Sequence, residues 1–588
     1  MKKTVTLLAL ILLFNDCVRA ETINNSLFSP AGIINRQNKE QLKDLQKEEK
    51  FIETTIDKEK EQKKQKEKLE QIKHEDENFT YNPDFYLKQI NFVGNTKISD
   101  KKLQKLSKKY INETVYLSDI QNLLKTITEL YHDKGYISSY AYLPDQQIED
   151  GVLTINIQED LLGDYKVYGN RWERDWYFEN VIFNSNGVEK GKVFNVKNLQ
   201  GALKTINNED YINSITTVEK DENGNTVVEL NVQDRLPINL NLIWDDYGRD
   251  LTGRQRFTPI LGVDNLTGFG DKIYGGAVLS SNSTGVLAGY NIPISKYGTR
   301  LAFDYSYSTV KMGGIFEKYK IHGNSSDYSL KIVQPIINDA MKEVNSSIGI
   351  DFINSSSESD FFQTSLSDYA LRVLRASVNG VFDDSTGRTL AELGVSYGFN
   401  GLGAHCEKNN PYDLNFVKVS AGATRVQRIR QESLAILRIN GQYSPNKLFS
   451  TEQMYLGGVY SIRGYQPSEI LGDYGVAGSL EFRVPFPFLK QILPEKYKHL
   501  SRKVQLVAFY DFGYVKDNDN LYGYPKNFLH STGFGGNINI TDSICVQLGV
   551  GFPLGNKPYN EGNGRFYFSI SSDVDRLLLK PKQKKQRL

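Results

Sequence analysis

Arg463 stands in "GGVYSIRGYQPSE", residues 457–469, between glycine-containing turns and two tyrosines, and strand-like runs flank the stretch. A guanidinium offers a planar fork of donors that fits a carboxylate through two parallel hydrogen bonds. The chemistry on offer at this position is therefore gripping, and the partner is open at this level. Groups that would break bonds are not assembled elsewhere. The carboxylates are scattered, no Ser/His/Asp spacing stands out, and no glycine-rich phosphate loop follows a strand. The six histidines include no pair at metal-ligand spacing, and the adjacency of His405 and Cys406 is too little for a site. The chain is expected to be no enzyme, with no catalytic residues, no cofactor and no metal.

Length and composition bound what must position Arg463. With 588 residues the chain exceeds one ordinary domain. Lys and Arg number 71 against 70 Asp and Glu, so net charge points to no nucleic-acid partner. Tyr (35) and Phe (30) dominate the aromatic residues, and with 48 glycines the mixture suits β-structure with aromatic surfaces.

Residues 1–20 read as a signal peptide: basic "MKK", a short apolar run "TVTLLALILLF" and Val18-x-Ala20 before the cut. That run is far shorter than the roughly 20 residues of a membrane-spanning helix, so export is expected. After cleavage Cys406 and Cys545 remain, too few and too far apart for a disulfide framework. Cys545, in an alternating strand, reads as a small packing residue.

Residues 21–81 form an N-terminal segment in which Ser29-Pro30 can start a helix. Residues 39–77 carry 11 Lys and 13 acidic residues in 39 positions and cannot bury a core. Two readings stand: a solvated helix or tether, and a helix near 30–48 that sits in a wet polar cavity and can leave it. Residues 82–160 read as a compact α+β unit. "FYLKQINFVGN" is its first strand, and "SDIQNLLKTITELYHDKG" is a helix capped by Ser118 or Asp119 and ended by Gly135. Residues 161–235 repeat the plan, β-α-α-β-β, closing on a hairpin around Asn223-Gly224.

From 236 to 575 helices give way to strand-length alternation. "LEFRVPF", 480–486, sets Leu480, Phe482, Val484 and Phe486 against Glu481 and Arg483. In a soluble sandwich the charged face would meet solvent, and in a membrane barrel it would meet the lumen. Sixteen strands can be marked, starting near 237, 254, 271, 284, 299, 324, 344, 366, 389, 414, 431, 476, 503, 526, 543 and 564. Connections on one side, such as "SKYGTR" and "NITDS", are short; 310–323, 355–365, 400–413 and 444–475 on the other are long. That asymmetry and the even count predict an outer-membrane barrel. Residues 576–588 are left as a basic tail outside it.

The order of signal, helix, linker, two small α+β units and sixteen strands resembles the outer-membrane transporters of two-partner secretion. These TpsB proteins are the haemolysin/filamentous-haemagglutinin secretion and activation family within the Omp85 superfamily. "GYISSYAYLPDQQIEDGVLTINIQE" is similar to the family's first POTRA motif, with Leu143, Pro144, Gln146 or Gln147, and Gly151, although Glu159-Asp160 stands where a glycine is common. "YSIRGY" resembles the tip of the family's long inward-folded loop, with Ile462, Arg463, Gly464 and Tyr465. The resemblance implies that Arg463 pairs with the Asp of an F-x-D-x-G strand motif, here Phe509, Asp511 and Gly513. Parity independently turns Asp511 inward, since Val504, Leu506, Ala508, Tyr510 and Phe512 share the other face.

The resemblance further implies a mostly β fold: two periplasmic POTRA domains, a 16-stranded transmembrane barrel and an N-terminal plug helix. Its implied partners are a secreted TpsA-type exoprotein (adhesin, haemolysin or contact-dependent toxin), outer-membrane lipid and the barrel-assembly machinery, with the protein a monomer. The POTRA units would capture the unfolded exoprotein by β-augmentation, and no nucleotide would be used. A barrel-assembly factor of the same superfamily is the nearest alternative, and a diffusion porin a second. Two POTRA-like units and the 21–77 segment favour secretion.

Overall fold

A computed structural model of the chain describes residues 30–40, 82–207, 209, 211–339, 341–408, 410–430, 433–486, 503–518, 527–541, 543–555 and 563–574. The expected signal peptide, the rest of the charged N-terminal segment and the basic tail lie outside the described residues.

The first α+β unit is wired more finely than its sequence suggests. "FYLKQINFV" is not one strand but two, Asp84–Leu87 and Gln89–Val93, broken at Lys88. Asp84–Leu87 pairs with Glu113–Tyr116 in a small sheet of its own. Gln89–Val93 runs parallel to Val152–Gln158, which carries Tyr140–Tyr142 antiparallel on its far edge. The break has a definite cause, remote in sequence: the Gly151 carbonyl accepts the N–H groups of both Lys88 and Gln89, at 2.8 and 3.2 Å. The long helix is Leu117–Asp133, so its cap is Tyr116 rather than Ser118 or Asp119. Asp119 instead reaches back to accept the Tyr116 N–H at 2.9 Å, satisfying one of the amides a helix start leaves unpaired. Ile120, Leu123, Ile127 and Tyr131 form its buried stripe.

The second unit repeats the sheet wiring. Leu162–Tyr168 is parallel to Thr226–Asp234, and Ile212–Lys220 lies antiparallel on the other side. Gly224 has φ +80° at the hairpin tip. The two units meet at Glu159-Asp160. The Tyr131 hydroxyl and the Lys97 N–H donate to Glu159, each at 2.8 Å. Asp160 reaches the other way and accepts from Thr226 at 2.6 Å and from Lys220. The sequence departure at these residues is thus the inter-unit joint.

Sixteen long antiparallel strands, from Ile238–Asp245 to Arg565–Asp573, close into a barrel, with the two-residue strand His405–Cys406 paired at its rim. The closing seam is short: Ser569↔Asp245 to Asp573↔Asn241. Outward residues such as Trp244, Phe257, Leu330 and Phe566 are exposed, as a lipid-facing surface requires. No disulfide joins Cys406 and Cys545.

Each strand starts within three residues of its sequence-predicted position, but two loops shrink. The predicted loop 355–365 is mostly strand, since Lys342–Ser359 and Thr364–Asp383 leave only 360–363 as the turn. The loop 310–323 contracts to 312–320 in the same way. These strands reach 18 and 20 residues, where a bilayer crossing needs about 9–11. Beyond the bilayer both faces are wet, so the ladder continues through "NSSSES" without apolar alternation. The connection 486–503, on the side of the short turns, is itself long.

The second unit sits directly on the barrel's periplasmic turns. Lys272 bonds Glu209 at 2.5 Å, Asn338 bonds Asn186 and Thr205 at 2.8 and 2.7 Å, and the Asn265 amide donates to the Trp172 carbonyl at 2.7 Å. Gly201 lets its helix approach the Asn338 carbonyl, which a Cβ would meet at 2.5 Å.

One buried carboxyl near this seam titrates in an unusual range. Burial, with Glu209 and Asp271 nearby, pushes Glu173 up to about 7, although the Tyr211 hydroxyl donates to it. The folded unit holds that proton more tightly than the unfolded chain. Stability is full below about pH 4.5, near the unfolded value, and is lost as pH rises through about 7. Hydrogen exchange of amides 161–235 in the full-length protein, corrected for intrinsic rates, is expected to show protection falling between pH 5 and 7.5. Glu173→Gln should flatten that slope, and an unchanged slope would place the titration elsewhere.

Candidate functional site

The segment 444–473 does not extend away from the barrel. Its stem is a two-stranded pair, Met454–Leu456 with Ile470–Gly472, and its tip lies against the inner wall. Asp473 fixes the stem: it accepts from Leu448 N–H and Gln453 through one oxygen, at 2.9 and 3.1 Å, and from Asn518 N–H through the other, at 2.9 Å. Leu456, Ile462, Tyr465 and Ile470 pack with Ala477, Val515 and Leu529, so the loop carries its own small core against the wall. Gly457 and Gly458, at φ +107° and +95°, make the reversal that brings the tip round.

Arg463 enters a box made by two neighbouring strands, Tyr474–Pro485 and Val504–Lys516. Their register sets Ser479 opposite Asp511 and Glu481 opposite Phe509. Arg463 Nε donates to Asp511 Oδ2 at 2.7 Å and Nη2 to Oδ1 at 2.8 Å, the two-pronged geometry that only a guanidinium supplies. Nη1 donates to Glu481 Oε2 at 2.6 Å, and Nη2 also reaches Ser479 Oγ at 2.9 Å. The guanidinium lies over the Phe509 ring, 3.5 Å from its centre. The backbone joins in, since the Arg463 N–H donates to Asp511 at 3.0 Å. Asp511 is fully buried and Glu481 nearly so.

Two carboxylates facing one arginine leave an excess negative charge, and Arg483 and Arg438 offset it from the other side of Glu481, at 2.7 and 3.5 Å. The Tyr567 hydroxyl on the last strand accepts the Gly464 N–H at 2.6 Å and donates to the Tyr465 carbonyl at 3.3 Å. Gly551 lets the tip touch the wall, since a Cβ there would meet Gly464 N at 2.6 Å. Gly513 likewise faces Leu456 and Ile462. Of the motif residues read from sequence, the structure brings together Ile462, Arg463, Gly464, Tyr465, Phe509, Asp511 and Gly513. Sequence reasoning missed Ser479, Glu481 and Tyr567. Alternation had assigned Glu481 to a wet face, but only strand register could show what it meets.

Leu143, Pro144, Gln146 and Gly151 lie far from this box. Gln146 works as a side-chain strand, bonding both backbone groups of Thr154 at 2.7 and 2.8 Å. Leu143 packs on the first unit's core, the Pro144 carbonyl accepts from Gln146 at 3.4 Å, and Gly151 has φ +75°.

The described part of the N-terminal segment, 30–40, is helical and meets the same loop. Arg36 donates to the Thr451 carbonyl at 3.0 Å and to the Gln453 carbonyl, both in the loop stem. Glu40 accepts from Tyr455 at 2.9 Å, and Gln37 bonds Ser468. On the wall side Lys39 pairs with Asp327 at 2.5 Å, and Ala31 and Ile34 pack on Val310.

Comparison with known proteins decides what this assembly is. A profile described as haemolysin secretion/activation protein ShlB/FhaC/HecB matches residues 224–538, more than half the chain, and one described as POTRA domain, ShlB-type, matches 85–160. The chain belongs to the haemolysin secretion/activation family. The heme/hemopexin transporter protein HuxB of Haemophilus influenzae (strain 86-028NP) is 24% identical over 83% of this chain and 86% of its own. The solved structure of CdiB from Escherichia coli covers 92% of this chain and 98% of its own, with TM-score 0.75 and 20% identity. That of CdiB from Acinetobacter baumannii covers 89% and 98%, with TM-score 0.66 and 17% identity. These two establish the fold. Family membership makes the protein an outer-membrane translocation pore for a secreted exoprotein, with its POTRA region in the periplasm, and a transporter rather than an enzyme.

The box makes specific demands on substitution. Arg463→Lys keeps the charge but loses the fork, and should unseat the tip partly. Arg463→Asp with Asp511→Arg should fail to restore seating, because the new aspartate would face Glu481. Stranding a buried partner charge costs about 3–5 kcal/mol, enough to move the tip. Hydrogen exchange of the Gly464 amide, which Tyr567 accepts when the tip is seated, reads the seating directly in full-length barrels. Wild-type protection of that amide in the swap variant would contradict the role given to Glu481.

Proposed function

We propose that this protein recognises one unfolded TpsA-type exoprotein in the periplasm through POTRA units at 82–160 and 161–235. It then passes that chain through the barrel, 236–575, without nucleotide. The exoprotein is an adhesin, haemolysin or contact-dependent toxin, and the protein works as a monomer. The edge strands Tyr140–Tyr142 and Ile212–Lys220 support recognition by strand addition, because among the described residues each has one side free of sheet partners. Exposed Ile215 and Val218 on the second edge offer apolar anchors along an added strand.

The observation that carries the reading is the loop seated by Arg463 on Asp511 and Glu481 and tied to helix 30–40 through Arg36. In this reading the Arg463 box holds the loop in its working position. Helix 30–40 is a removable plug bound by polar and ionic contacts, which water and a passing polypeptide can replace. The charged stretch 39–77, which from residue 41 lies outside the described residues, is read as its tether. The barrel-assembly machinery inserts the protein.

Removing residues 21–48 from the mature chain should raise single-channel conductance and leave secretion largely intact. Unchanged conductance would remove the plug from the mechanism. Deleting 161–235 should abolish secretion while heat-modifiable barrel persists in the outer membrane. Arg463→Ala and Asp511→Ala should each cut secretion at least ten-fold with the folded barrel retained, and normal export by both would dismiss the loop's role.

A further inference from the structure

The chain has only three tryptophans, Trp172, Trp176 and Trp244. Trp244 lies on the barrel's lipid-facing surface, 45% exposed, with its ring edge-on to Phe568. Trp172 and Trp176 belong to the second α+β unit and are as exposed, at 43% and 48%. Nothing in the unit's own core calls for them, since its buried cluster is built from Tyr177, Phe178, Val181 and their neighbours.

These two rings flank the contact between the unit and the first periplasmic turn, 265–271. The Trp172 carbonyl accepts from Asn265 at 2.7 Å, and the Arg174 N–H donates to the Gly268 carbonyl at 3.2 Å. The Phe269 ring meets the Trp176 ring edge-on at 5.4 Å, and the Arg174 guanidinium lies 4.4 Å over it. The turn leans toward the outer side of the barrel. Asp271 accepts from Thr267 at 2.7 Å and from Tyr290 at 3.1 Å, and Tyr290 lies in the ladder beside lipid-facing Ile273 and Phe303. The charged half of the docking, Lys272 with Glu209, uses a residue of the opposite, lumenal parity.

The last rung of the ladder here is Asp264↔Lys272. Leu266 and Phe269 stand only a few residues past it, so at about 3.3 Å per residue no more than ~10 Å of chain separates them from the barrel wall. Exposed Leu266 continues the patch, the next turn adds exposed Ile294 and Tyr297, and the end of strand Ile321–Asn338 adds Ile336. Lys296 lies 5.3 Å over the Tyr297 ring, repeating the cation-on-ring arrangement of Arg174 and Phe269. Indole and phenol rings mixed with snorkelling basic side chains match the chemistry of a membrane–water interface.

We propose that Trp172, Trp176, Arg171 and Arg174, with Leu266 and Phe269, dock into the phospholipid headgroups of the periplasmic leaflet. The patch is continuous with the barrel's lipid-facing surface, and its exposed cations suit phosphate. Docking pins the second unit at one height and tilt beneath the pore, so that its free edge Ile212–Lys220 is held clear of the bilayer for the secreted chain.

The test uses full-length protein carrying Trp244→Phe, so that Trp172 and Trp176 are the only fluorophores of their kind. It is reconstituted in phosphatidylcholine–phosphatidylglycerol vesicles containing lipid spin-labelled at the headgroup, or at carbon 5 or carbon 12 of the acyl chain. Headgroup and carbon-5 labels should quench at least two-fold more than carbon 12. Trp172→Ser/Trp176→Ser, in the otherwise wild-type chain, should leave only the signal of Trp244. Quenching no greater than in label-free vesicles overturns the proposal. If the lipid labels are silent and the double serine variant also blocks export, the patch belongs to the secreted chain and the proposal falls.

Discussion

A largely enclosed arginine facing two buried carboxylates organises the interior of this barrel. Desolvating such a cluster is costly, and it is retained only when nearly every donor and acceptor finds a partner. Arg463 meets that condition with Asp511, Glu481, Ser479 and the face of Phe509. The constraint then spreads. Glu481 requires Arg483 and Arg438, the approach of the loop requires glycine at 513 and 551, and the stem requires Asp473. Because the stem also supplies carbonyls to Arg36, the position of helix 30–40 and the position of the loop are not independent. Displacing either leaves polar groups of the other to be rehydrated.

The second dependence runs through the periplasmic side. The unit at 161–235 touches the barrel through three successive turns, by Asn265, by Gly298 against Ser185, and by Asn338. The joint at Glu159-Asp160 links it to the first unit by carboxylate hydrogen bonds. Such joints set an angle through a few directed hydrogen bonds, which suits a path that must admit a polypeptide and release it.

Strand positions were legible in the sequence because each crossing has one face against lipid and one against water, and alternation records that difference. The same logic failed where the difference ends. "NSSSES" looked like a loop, yet it continues the ladder above the bilayer, where neither face needs to be apolar. The break at Lys88 was illegible because a remote residue, Gly151, supplies the carbonyl that splits the strand. At the loop, parity turned Asp511 inward, and the structure has its carboxylate against Arg463. Parity could not show Glu481 as a second ligand, because cross-strand register depends on the closed sheet. Tyr567 was hidden for the same reason, lying more than a hundred residues from the glycine it holds.

That last contact carries a consequence for biogenesis. Every ligand of Arg463 lies downstream of it in the chain, and Tyr567, which clasps the Gly464 amide and the Tyr465 carbonyl, sits on the final strand. A sheet assembled from its N-terminal strands therefore has nothing to receive the loop until the C-terminal hairpins arrive. Ring closure and loop seating become nearly simultaneous late events. Until strands 474–485 and 504–516 are laid the arginine has no carboxylate, and until the last strand is laid the tip lacks the Tyr567 clasp, so that clasp doubles as a chemical record that the last strand is in place.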